Sequence, residues 1–188
     1  MKTTLLLALL ASPVMAGDLA FVTSQNGNAL SVVDLGDGQI MSQVQIPDAP
    51  APVAYDAEHG LVHVIAANTG RLHVLDKTLT PLRQADLGEG AFGIAMGPDG
   101  ALFVTDWFGA RLTRLDRDLA TVWQSDTGAA PAGVAVSADG TLVATADRDA
   151  DAVSIFAAAD GTFLHRVEPQ ARTPSASPST TACSGRRM

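Results

Sequence analysis

Cysteine is all but absent. Cys183 stands alone in 188 residues, so no intrachain disulfide can staple the fold. No Cys-x-x-Cys-His occurs either, which excludes covalently attached c-type haem, and no other cofactor motif is evident. Positive charge is scarce: 12 Lys and Arg stand against 20 Asp and Glu, for a formal net charge of −8. Proteins that bind nucleic acid by displacing phosphate counterions need a basic surplus, so nucleic acid is not an expected partner. Beyond the first 16 residues no apolar run is long enough to cross a bilayer, so the chain does not read as an integral membrane protein. The 3.6-residue periodicity of helical repeats is also missing.

What is present begins with an export pattern. Lys2 gives a positive start, LLLALLASPV (5–14) is a short apolar run, and VMA (14–16) places small residues where a signal peptidase reads. Residues 1–16 are therefore expected to be a cleaved signal peptide, leaving Gly17 as the new N-terminus and the protein in the periplasm or outside the cell. No cysteine follows the cleavage point, so a lipid anchor is not expected there.

The rest of the chain says one thing four times. AFVTS (20–24), VHVIA (62–66), LFVTD (102–106) and LVATA (142–146) recur 40 to 42 residues apart. LSVVD (30–34), LHVLD (72–76), LTRLD (112–116) and VSIFA (153–157) follow them at the same period. Each is short, apolar and rich in β-branched residues, with turn residues on either side. A third type, PVAYD (52–56), FGIAM (92–96) and AGVAV (132–136), is built of small residues and suits a crowded position. A fourth, such as QIMSQVQI (39–46) and ATVWQSDT (120–127), is polar and suits a wet edge. PDG (98–100) and ADG (138–140) supply tight turns, since glycine accepts positive φ.

Four short antiparallel strands every forty residues describe the blade of a β-propeller, an all-β fold. The small-residue strand belongs innermost and the polar strand at the rim. The repeat units are 19–60, 61–100, 101–140 and 141–168. They contain fifteen strands, or about three and three-quarter four-stranded blades, and so a partial ring. Residues 169–188, rich in Pro, Ser and Thr with no apolar run, are expected to be a disordered low-complexity tail. A GC-rich back-translation of residues 172–183, read two bases on, spells HAFGVAVDDGL, the missing innermost strand with its Asp-Gly turn. That favours a frameshifted or truncated product; a natural short propeller and a dimer of half-rings stay open. Self-association through open blade ends follows from the same strand count.

The units resemble YVTN-type β-propeller repeats. FVTS (21–24) and FVTD (103–106) stand for the name-giving residues, ALSVVDL (29–35) for a second piece and PAGVAVSADG (131–140) for a third. The resemblance covers residues 18–167. It implies an exported protein, a ring often of seven blades, and a role that in some members accompanies periplasmic quinoprotein dehydrogenases.

Candidate sites gather on the loops of one face. Trp107 and Phe108, beside Asp106, form an aromatic pair in a turn and are the leading candidates for a partner-binding patch, with Asn68 in a neighbouring loop. Asp147, Asp149 and Asp151 alternate as calcium loops begin, but the turn glycine and distal glutamate are missing. His63 and His73 flank Asn68 symmetrically and are weak metal candidates that a hairpin could bring face to face, with His59 as a conceivable third ligand. No Ser-His-Asp order, phosphate loop or carboxylate pair stands out.

Three functions stay open on the sequence alone. One is a periplasmic accessory or binding protein, with another periplasmic protein as partner. The second is a fragment of a propeller enzyme or redox-linked protein, and the third a truncated product with no activity of its own. The pattern favours a non-enzymatic role and leaves an enzymatic one open.

Overall fold

The computed structural model describes residues 18–168; the expected signal peptide and tail lie outside them. Fifteen strands form one three-stranded and three four-stranded antiparallel sheets, arranged as a partial β-propeller. The first sheet holds β1 (Leu19–Ser24), β2 (Ala29–Asp34) and β3 (Ile40–Gln45). The second holds β4 (Pro50–Asp56), β5 (Leu61–Ala66), β6 (Arg71–Asp76) and β7 (Pro81–Asp86). The third holds β8 (Ala91–Met96), β9 (Leu102–Asp106), β10 (Arg111–Leu115) and β11 (Thr121–Asp126). The fourth holds β12 (Pro131–Val136), β13 (Leu142–Asp147), β14 (Ala152–Ala157) and β15 (Phe163–Val167). One 3₁₀ turn, Arg148–Ala150, joins β13 to β14, and among the described residues no helix is long and apolar enough to cross a membrane.

Residue size places the strands. The innermost strands β4, β8 and β12 lie side by side, and a Cβ added to Gly93 of β8 would meet Thr105 Oγ1 at 2.5 Å and the Ala132 carbonyl at 3.0 Å. The rim strands β3, β7, β11 and β15 are mostly exposed; polar residues such as Gln43, Arg83 and Gln124 suit this in the first three, whereas β15 exposes the apolar Phe163, Leu164 and Val167. Among the described residues β1 pairs only with β2, and it packs against β4.

The core is a row of seams between blades. Along β5, alternate side chains leave on opposite faces. Val62 and Val64 meet Leu30 and Val32 of the first blade, whereas Ile65 joins Leu102 and Val104 of the third. Phe103 and Leu112 then meet Val143 and Phe156 at the third seam. Burying each such side chain contributes roughly 1.5–3 kcal/mol, so each blade depends on its neighbours.

The turns repeat as faithfully as the strands. Asp76 Oδ1 accepts the Thr78 and Thr80 amides at 2.8 and 2.9 Å, and Asp116 Oδ1 accepts those of Asp118 and Ala120, both at 2.9 Å. Gly100 and Gly140 take φ of +77° and +71° in the PDG and ADG turns. Leu79 and Leu119 adopt φ of +67° and +66°, where glycine is the ordinary choice; Leu79 buries its side chain in the first seam and Leu119 packs half-buried against the second.

Candidate functional site

The loops after β1, β5, β9 and β13 share one face with those entering the innermost strands. Trp107 is anchored there by its amide, which donates to the Gly90 carbonyl at 2.7 Å. Its ring meets Phe92 edge-on at 5.4 Å, and the Arg148 guanidinium lies 5.3 Å above it. Trp107 thus spans the seam between the third and fourth blades. Phe108 does not: it is 78% exposed. Its amide and that of Gly109 donate to Asp106 Oδ1 at 3.0 and 2.7 Å, so Asp106 shapes the turn that presents the ring. Gln25, Asn68, Glu89, Phe92, Trp107 and Phe108 line a shallow depression of about 290 Å³. The structure therefore brings Asn68 together with the aromatic pair.

The alternating aspartates do not converge. Asp147 is 1% exposed and turned inward. It accepts hydrogen bonds from Thr145 Oγ1 at 2.7 Å, Ser154 Oγ at 2.5 Å and the Gly128 amide at 2.9 Å. Its oxygens bind β13, β14 and the loop from the third blade, while Asp149 and Asp151 lie exposed. Asp149 stands 3.9 Å from Arg148. Trp123, on the rim strand β11, fills the third seam: its ring lies 5.9 Å from Phe103 and its Nε1 donates to the Ala158 carbonyl at 3.2 Å.

His63 and His73 do not face each other. The hairpin pairs His63 with Val74 and Val64 with His73, one residue away from the symmetry about Asn68. A one-residue offset sends the two rings to opposite faces of the sheet. No group of three metal-ligating side chains occurs among the described residues.

His63 faces the second seam, is 3% exposed, and its Nδ1 has no hydrogen-bond partner among the described residues. Burial, countered by Asp56 and reinforced by Arg83, lowers its pKa from 6.5 to about 4. Between these values the unfolded chain binds a proton that the native chain refuses, so stability falls as pH drops. Urea denaturation should show a loss of roughly 3 kcal/mol from this group between pH 6.5 and about 4. His63→Phe should remove that component, and an unchanged pH profile in the variant would refute it.

No family model matches the chain, and no curated protein matches it. Solved structures do. Hydrazine synthase of Kuenenia stuttgartiensis superposes with a TM-score of 0.69 at 19% identity, over 79% of this chain and 45% of that one. A protein of unknown function from Desulfotomaculum acetoxidans gives 0.68 at 15% identity, over 78% and 51%. A streptogramin B lyase gives 0.68 at 17% identity, over 80% and 51%. The chain matches about half the length of each, and at these identities the likeness is one of fold.

Proposed function

We propose that the protein is an exported, non-enzymatic binding propeller of the YVTN type, which docks another periplasmic protein on its Trp107–Phe108 face. The observation that supports this most is Phe108, 78% exposed beside a seam-anchored tryptophan. A large aromatic presented by a hydrogen-bonded turn contributes contact area with only two side-chain torsions to fix, the property of interface anchors. Glu89 lines the depression, Asp106 shapes the turn, and Asp149 and Asp151 follow Arg148 in the next blade's loop; the four carboxylates outnumber that one guanidinium, so the partner surface should carry an apolar pocket with basic groups at its rim. Periplasmic quinoprotein dehydrogenases, which the resemblance to YVTN-type propellers implies for some members, are the first class to test. The exposed Leu19, Val22, Phe163 and Leu164 at the two ends of the blade row favour association of copies as a second mode.

Binding titrations of the mature chain with such a dehydrogenase test the reading. Phe108→Ala should weaken binding at least about tenfold, and Trp107→Ala by as much or more. Trp123→Ala should leave affinity unchanged once folding is matched. Equal affinity of the Phe108→Ala variant and the parent chain would overturn the docking face.

A further inference from the structure

The second seam opens on the opposite face, where the turns after β4, β8 and β10 meet. A cavity of about 200 Å³ lies there, lined among others by Leu61, His63 and Arg83 of the second blade and Leu102, Arg117 and Leu119 of the third. Strand registers place His63 where the first and third blades carry Phe21 and Phe103. A polar ring thus stands in a position that neighbouring blades fill with phenyl, its buried Nδ1 unpartnered.

The charges around the cavity are unevenly held. Asp56 is occupied: it accepts His59 Nδ1 at 2.9 Å and the Glu58 and His59 amides at 3.0 and 3.1 Å. Asp116 is likewise engaged by the amides of its own turn. Arg117 only donates, so its 3.1 Å contact makes His59 Nε2 an acceptor and fixes the proton of His59 on Nδ1. The ion pairs of the two guanidiniums are loose. Arg83 stands 4.0 Å from Asp118, which is 95% exposed, and Arg117 stands 3.8 Å from Glu58, which is 69% exposed. Arg83 also donates to the Arg117 carbonyl, which holds the two arginines beside each other across the seam.

We infer that this cavity binds a small monocarboxylate with an apolar body. The carboxylate displaces the loose Asp118 and Glu58 contacts and takes charge-assisted hydrogen bonds from Arg83 and Arg117. The apolar body rests on Leu61, Leu102 and Leu119 and against the edge of the His63 ring, whose Nδ1 is turned away from the accessible space. A metal cation is disfavoured by the same two arginines.

Calorimetric titration of the mature chain with butyrate at constant ionic strength tests this, with butyramide as the uncharged control. Saturable millimolar binding of butyrate is expected, with butyramide at least tenfold weaker. In ¹⁵N-resolved spectra the His63 and His59 imidazole resonances should shift along the same isotherm. Arg83→Gln and Arg117→Gln should each weaken binding about fivefold or more. His63→Phe should fill the space and abolish binding while keeping a cooperative unfolding transition. Butyramide binding as well as butyrate, unaltered binding in the His63→Phe variant, or no saturable signal would each overturn the site. None of these outcomes bears on the Phe108 face.

Discussion

Gly70→Ala is expected to lower stability by more than about 4 kcal/mol, and so to abolish cooperative folding at ambient temperature. Gly70 has a φ of +67°, and a Cβ there would stand 1.6 Å from the Gly88 carbonyl oxygen and 2.4 Å from its carbon. The obstacle is backbone, fixed because the Leu87 amide donates to the Gly70 carbonyl at 3.1 Å. No rotamer relieves it. Gly38→Ala separates strain from collision: its φ is +73°, but nothing lies within 4 Å of the added Cβ. That variant should lose only about 1 kcal/mol. Circular dichroism with urea denaturation decides the matter, and a Gly70→Ala chain unfolding at the parent midpoint would show that the two loops do not touch.

Asp147→Ala should cost roughly 3 kcal/mol. It leaves the Thr145 and Ser154 hydroxyl protons, on residues 0% exposed, and the Gly128 amide without their acceptor, although Ser154 Oγ still accepts from Arg166. Asp149→Ala, two residues on and exposed, should change stability by less than about 0.5 kcal/mol. Matched urea midpoints for the two variants would refute the assignment of Asp147 as the tie between β13, β14 and the third blade.

The repeat made the architecture legible in the sequence. Strand types, their order from axis to rim and the PDG and ADG turns all follow from residue size, polarity and glycine, which are local properties. The aromatic pair was legible too, because an apolar dipeptide in a turn conflicts with its setting. Its division of labour was not: that Trp107 packs and Phe108 projects depends on Arg148, which arrives from another blade. The histidines failed for a related reason. Symmetry about Asn68 is a property of the chain, whereas facing depends on hairpin register, and a one-residue difference reverses it. The pairing of Arg83 with Arg117 joins residues 34 positions apart, and no short spacing announces it. The isolated apolar leucine of each DxxL turn, Leu79 and Leu119, was the available sign that turn residues reach into seams.

Those leucines bear on how such proteins could be cut and rejoined. In the fourth blade the position of Leu119 is held by Gly161, and a Cβ there would already lie 2.6 Å from the Trp123 ring of the preceding blade. Trp123 in turn occupies the rim position that Arg83 holds one blade earlier. Large faces small at the third seam, and leucine accompanies arginine at the second. A blade grafted between rings, or duplicated within one, therefore brings only half of each such pair. Swapping the third and second blades whole would set Trp123 against a leucine turn and leave Gly161 facing the slimmer, charged arginine. The heritable module is the junction, so a viable crossover point lies within a sheet, where both members of a pair travel together.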